Sequence, residues 1–310
     1  MRFTGTIGLM RHVLTASAAV LSLRKAVMAT VAAAIISSGF WLPAGITPAL
    51  AFPGWASTGT TISIPAGGFV REAETCSPGS VVLGGGADVV DGSANFGTEL
   101  QESAPGTSSW GSLWLVAVSN HSSSSHDIDI NAICGTAPSG YTVAEHTVSL
   151  PAGGFVRQAA TCPAGTVVLG GGAAVVGAGS ANFGTELQES APGTNSSGSI
   201  WLVAVSNHSS TSYNLRIFAV CATAPSGYTV AEHTVSLPAG GFVRQDVTCP
   251  AGTVVLSGGA QVVGHGSANF GTELQESNLD FSKTASLWVA AVSNHSSASY
   301  NLGMFAVCAT

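Results

Sequence analysis

The chain has 310 residues, 45% of them hydrophobic and only 8% charged, where a typical soluble domain is nearer to about 25% charged. Four of its nine cations (Arg2, Arg11, Arg24, Lys25) precede Phe52 and none of its sixteen acidic residues does, so the part after residue 51 carries five cations against sixteen acids, a formal −11. Five scattered cations cannot build the basic stripe that reads a phosphate backbone or an anionic lipid surface. Nucleic acid and anionic membranes are therefore excluded as partners, and the wealth of β-branched residues excludes a disordered chain.

Residues 1–51 read as an export leader. Arg24 and Lys25 form a positive region, Ala26 to Leu42 an apolar run too short for an ordinary membrane span, and Ala49-Leu50-Ala51 a small-residue cleavage site. A weaker apolar stretch, Val13 to Leu23, precedes this arrangement. The expectation is a protein released to the extracellular space, with no membrane span after cleavage.

The rest of the chain is a repeat. Pro65, Pro151 and Pro238 each open P-A-G-G-F-V-R, at offsets of 86 and then 87 residues. Ser93 to Thr107 and Ser180 to Thr194 are identical, and Ser267 to Ser277 keeps the first part of that segment. A period of this length suits a small domain better than a propeller blade or a solenoid turn. Turn signals at Ala137–Gly140 and Ala224–Gly227 divide the chain into copies at 52–136, 143–223 and 230–310.

Within the second copy, the expected strands in order are Thr147 to Leu150, Phe155 to Thr161, Val167 to Leu169 running into Gly170-Gly171-Gly172, Glu186 to Ser190, Ile200 to Val205, and Tyr213 to Cys221. No helical period is sustained anywhere in the copies. Five or six short strands per copy predict an all-β fold of three tandem antiparallel β-sandwich or barrel modules. The alternative is one pseudo-threefold assembly, such as a prism, in which the copies share a core. The last strand of each copy alternates and ends its apolar face on a cysteine, so that sulfur points inward.

The six cysteines fall two per copy, and the repetition selects the pairs Cys76–Cys134, Cys162–Cys221 and Cys249–Cys308, separated by 58, 59 and 59 residues. Structural disulfides suit an exported chain. Thiolate metal ligation wants close pairs such as C-x-x-C, which are absent, so no metal and no cofactor is expected.

The recurring polar residues are the candidate ligand-binding set: Arg71, Glu99 and Glu102 in the first copy, Arg157, Glu186 and Glu189 in the second, Arg244, Glu273 and Glu276 in the third. Trp110, in a Ser/Gly-rich loop of the first copy alone, joins them. Paired carboxylates serve glycosidic acid–base chemistry, but positions i and i+3 on a regular strand face opposite ways, so no catalytic pair is expected. An ion pair between each arginine and one glutamate is the structural reading, a polar ligand pocket the functional one. Trp114, Trp201 and Trp288 sit in apolar strands and read as core. The glycine runs lack the Lys-Ser/Thr of a phosphate loop and read as a bulge or close strand crossing. Ser119-Asn120-His121 recurs at 206–208 and 293–295, with the composition of a turn.

The pattern C-P-A-G-T-V-V-L-G-G-G-A (Cys162 to Ala173), an apolar Trp strand and a terminal A-V-C-A resembles a module of uncharacterised secreted bacterial proteins, notably of actinobacteria. That resemblance implies an exported β module and transfers no active residues. The expected function is a secreted, multivalent, adhesin-like binder of a surface glycan or another envelope component. A self-assembling matrix protein is the alternative, and a secreted hydrolase stands third.

Overall fold

A computed structural model describes residues 52–90, 97–177, 182–264, 269–280 and 287–310. The expected leader, residues 1–51, lies outside the described residues. Each copy contributes six strands. The first holds β1 (Ala56–Ile64), β2 (Phe69–Thr75), β3 (Val81–Val89), β4 (Thr98–Ser108), β5 (Gly111–Asn120) and β6 (His126–Gly135). The second holds β7 (Thr142–Leu150), β8 (Phe155–Thr161), β9 (Val167–Val175), β10 (Thr185–Asn195), β11 (Gly198–Asn207) and β12 (Tyr213–Ala222). The third holds β13 (Thr229–Leu237), β14 (Phe242–Thr248), β15 (Val254–Val262), β16 (Thr272–Leu279), β17 (Leu287–Asn294) and β18 (Tyr300–Ala309). The all-β, antiparallel reading holds, with one disulfide per copy.

Of the two arrangements open to the sequence, the shared core is the one realised. Each copy folds as two facing three-stranded half-sheets, and each half-sheet is continued by a half-sheet of a neighbouring copy. The three six-stranded sheets run β2-β5-β4-β9-β12-β7, β13-β18-β15-β10-β11-β8 and β1-β6-β3-β16-β17-β14. The first joins copies one and two, the second joins two and three, and the third joins three back to one. We call the line where two copies meet within a sheet a seam. Strands β4, β10 and β16 also touch one another, as do β3, β9 and β15, so the sheets close around a common pseudo-threefold axis. One hydrophobic cluster runs through all three copies.

The disulfides tie the two half-sheets of each copy together. Cys76 follows β2 and Cys134 lies on β6, in opposite half-sheets, with Cα atoms 5.7 Å apart; the second and third copies repeat the arrangement. Trp114, Trp201 and Trp288 are 1% exposed, and their indole N–H groups donate to Ser103, Ser190 and Ser277 at 3.0, 2.9 and 3.2 Å. Burying that much aromatic surface needs such a partner for the N–H.

The glycine runs are explained by the seams. A Cβ on Gly86 would lie 1.7 Å from the Ser277 carbonyl oxygen, one on Gly172 would lie 1.7 Å from that of Ser103, and one on Gly259 would lie 1.8 Å from that of Ser190. Each contact is between different copies, so only glycine lets the two paired strands approach so closely at the seam.

The ring also closes through one aromatic donor per copy. Tyr141 Oη donates to the Val82 carbonyl at 2.8 Å and Tyr228 Oη to the Val168 carbonyl at 2.9 Å. Trp55 occupies the corresponding place in the first copy, and its Nε1 donates to the Val255 carbonyl of the third at 2.8 Å.

Candidate functional site

Glu99 and Glu102 share a face, against the expectation from their spacing. Glu99 lies opposite Ser119 and Glu102 opposite Ala117, with a register shift between Leu100 and Glu102. Gln101 is the extra residue of a β-bulge, and one inserted residue turns the i+3 position back to the same side. The same bulge follows Leu187 and Leu274.

Sharing a face does not make the two carboxylates partners. Glu102, Glu189 and Glu276 are fully buried, and their Oε2 atoms each accept from the Nε of Arg71, Arg157 and Arg244 at 2.5 Å. Their Oε1 atoms cross the seams and accept backbone N–H bonds from Val175, Val262 and Val89 at 2.6, 2.7 and 2.9 Å. Arg71 and Arg157 also lie over the rings of Phe183 and Phe270 in the next copy, at 5.8 and 5.7 Å. Burial pushes the Glu102 carboxyl up and the Arg71 guanidinium opposes it. Both oxygens of each glutamate are thus engaged within the seam, and these three residues serve the joints between copies.

Glu99, Glu186 and Glu273 form a second set. Each accepts at Oε2 from a histidine Nε2: His121 at 2.6 Å, His208 at 2.6 Å and His295 at 2.7 Å. Ser119, Ser206 and Ser293 lie beside them, and Gln101 Nε2 bridges Ser119 Oγ (3.0 Å) to Asn182 Oδ1 of the next copy (2.8 Å). The histidines, read as turn residues from their neighbours, thus belong to this cluster; their fixed offset from the bulged strand was the available signal. Burial raises the Glu99 and Glu186 carboxyls, the bonds from His121 and His208 oppose that rise, and the charge of Glu273 adds to it in both. The bond to Glu99 raises His121.

The trio of Ser119, His121 and Glu99 is not a nucleophilic relay. Serine and glutamate approach the same ring nitrogen, Nε2, whereas base and orienting acid must use opposite nitrogens. Among the described residues no group of three His, Cys, Asp or Glu side chains is arranged to hold a metal ion.

Two of the described cavities lie on the outer faces of the seams. A cavity of about 650 Å³ at the first seam is lined by Arg71, Pro105 and Leu115 of copy one and by Tyr141, Arg216 and Phe218 of copy two. A cavity of about 560 Å³ recurs at the second seam, with Pro192, Leu202, Tyr228, Glu232 and Phe305 in corresponding places. Val143 and Val230 stand at their rims, 38% and 37% exposed. Arg216 lies over Phe218 at 5.4 Å and pairs with Glu145 at 3.7 Å, both charges half exposed. Of the candidate residues, Arg71 alone lines a described cavity, while Trp110 sits apart, 81% exposed in the turn between β4 and β5.

No family model matches the chain, and no curated protein is significantly similar to it. Among the described residues no helix is long and apolar enough to cross a membrane. The three disulfides belong to an oxidising environment.

Proposed function

We propose that the protein is exported and binds a neutral surface glycan or a similar envelope component, holding it in the seam grooves. The observation that carries this reading is the duplication of one groove on equivalent faces, with an aromatic and aliphatic floor and a polar rim. Apolar floors with a few placed polar groups are the usual build of a small-ligand site. Rings suit the C–H faces of a sugar, and Glu145 and Glu232 at the rims accept from its hydroxyls. Two like grooves on one rigid body supply avidity toward a repeating polymer. The disulfides and the leader-like sequence support export.

The test is retention of residues 52–310 on cell-wall polysaccharides and a glycan panel. Val143→Lys and Val230→Lys place a long charged side chain at each rim and leave the core untouched. Each single variant is expected to weaken binding to an immobilised polymer at least tenfold, and the double variant to abolish it. Unchanged binding by the double variant, or a protein that binds nothing and sediments as large assemblies, sinks the proposal and favours a structural role.

A further inference from the structure

The third seam, where the last copy meets the first, differs from the other two in a concentrated way. On its outer face Asp88 and Asp129 stand directly opposite each other. The equivalent pairs are Ala174 with Arg216 and Gln261 with Gly303. Asn131 takes the place of Phe218 and Phe305, opposite the seam glycine. Asn278 takes the place of Ala104 and Ala191, following the seam serine. Between such similar copies, four apolar or unlike positions have become two carboxylates and two carboxamides on one patch.

The patch is short of partners. Like charges directly opposite on paired strands repel. Asn278 Nδ2 donates to Asp88 Oδ1 at 2.5 Å, which sets the carboxamide against the acid. Yet its Oδ1, in a residue fully buried, has no hydrogen-bond partner among the described residues, and neither has Nδ2 of Asn131, 5% exposed. A buried polar atom left alone costs about 1–3 kcal/mol. Thr61 Oγ1 holds one oxygen of Asp129. Arg244, engaged by Glu276, acts on Asp88 only at longer range, and among the described residues no cation forms an ion pair with either aspartate. Burial, with Glu276 and Asp129 adding to it, pushes the Asp88 carboxyl up to about 7.

We propose that this patch is a site for one hard divalent cation of the calcium class, held by the carboxylates of Asp88 and Asp129 and by Oδ1 of Asn278. The ion removes the repulsion of the acid pair and fills the orphaned carboxamide oxygen, and Nδ2 of Asn131 becomes a donor to a water of its shell. Calcium accepts irregular oxygen sets that magnesium refuses, and two carboxylates with one amide suit the weak affinities of extracellular modules, about 10⁻⁴–10⁻³ M.

The probe is calcium chloride itself, added to chelator-treated protein and followed by calorimetry and thermal melting. On the order of 10 mM calcium is expected to raise the melting temperature by about 2–4 °C, with one ion bound and little response to magnesium. Asp88→Ala and Asn278→Ala install residues that the other seams already carry, so both variants fold, and both should lose the calcium response. The proposal is overturned if wild-type protein shows no calcium response or if both variants keep it. It is equally overturned if the patch answers to pH alone, which would mean that a proton separates the aspartates.

Discussion

Glu102 in the first copy accepts a hydrogen bond from the backbone N–H of Val175 in the second, at 2.6 Å across 73 residues of sequence. The same oxygen pattern recurs twice more and returns from Glu276 to Val89. Each copy is therefore held by its neighbour's carboxylate, and the arginine that neutralises that carboxylate belongs to the copy that supplies it.

Removing one joint should be costly. Glu102→Ala leaves the Arg71 guanidinium half-buried without its partner and the Val175 N–H unmet, a loss of about 3 kcal/mol. Chemical denaturation should show this as a lower midpoint in a single transition for all three copies. Glu145→Ala, at an exposed pair 3.7 Å apart, should shift stability by less than about 1 kcal/mol. A transition that splits by copy would contradict the shared core.

The axis offers room for one small side chain. Gly84, Gly170 and Ser257 are equivalent; a Cβ on Gly84 would lie 2.6 Å from the Ser257 Cβ and 2.2 Å from the Leu256 carbonyl oxygen. Gly84→Ser should destabilise by about 1–3 kcal/mol. Adding Ser257→Gly should restore much of that loss. Equal losses with and without Ser257→Gly, measured as a double-mutant cycle, would show that the backbone contact alone sets the limit.

Each disulfide closes a loop of 58 or 59 residues. On the chain-entropy account one such bridge contributes about 4 kcal/mol. The double variant Cys162→Ala, Cys221→Ala should therefore melt well below the parent while keeping the same far-ultraviolet spectrum just before the transition. Loss of all structure at room temperature would place the contribution higher.

Stability should fall as pH rises. Asp88 titrates near 7 in the folded protein against a usual value of 3.8, and Glu99 and Glu186 are raised as well. A group whose folded pKa exceeds its unfolded one stabilises fully below the unfolded value, and that contribution is lost as pH climbs through the folded value. In chelator, the melting temperature should drop between about pH 5 and about pH 8. Asp88→Ala should flatten the part of the curve close to neutrality. An unchanged curve in that variant would remove Asp88 as the cause.

Much of the architecture could be read from residues. The inward alternation of Leu215, Ile217, Ala219 and Cys221 announced the strand and the sulfur's direction, and the pairing of cysteines followed from repetition. The choice between separate and shared cores could not be read, because it rests on contacts such as Gly172 to Ser103, which join different copies and leave only a glycine in the sequence. The facing of Glu99 and Glu102 was hidden for a related reason. A bulge at Gln101 changes the parity of the strand without any turn residue to mark it. The aspartates of the third seam are ordinary in sequence. They become conspicuous only when Asp88 is set against Asp129 and both against the alanine, arginine, glutamine and glycine of the other seams.

Trp55, reaching from the first copy to the Val255 carbonyl of the third, has a consequence for how the protein comes into being. The sheet it borders takes strands from both ends of the described chain. A nascent chain holding only the first two copies has three strands of that sheet and no partner for them. Such long-range pairing is slow to form, and this sheet, unlike β2-β5-β4-β9-β12-β7, can be completed only after the last copy has emerged.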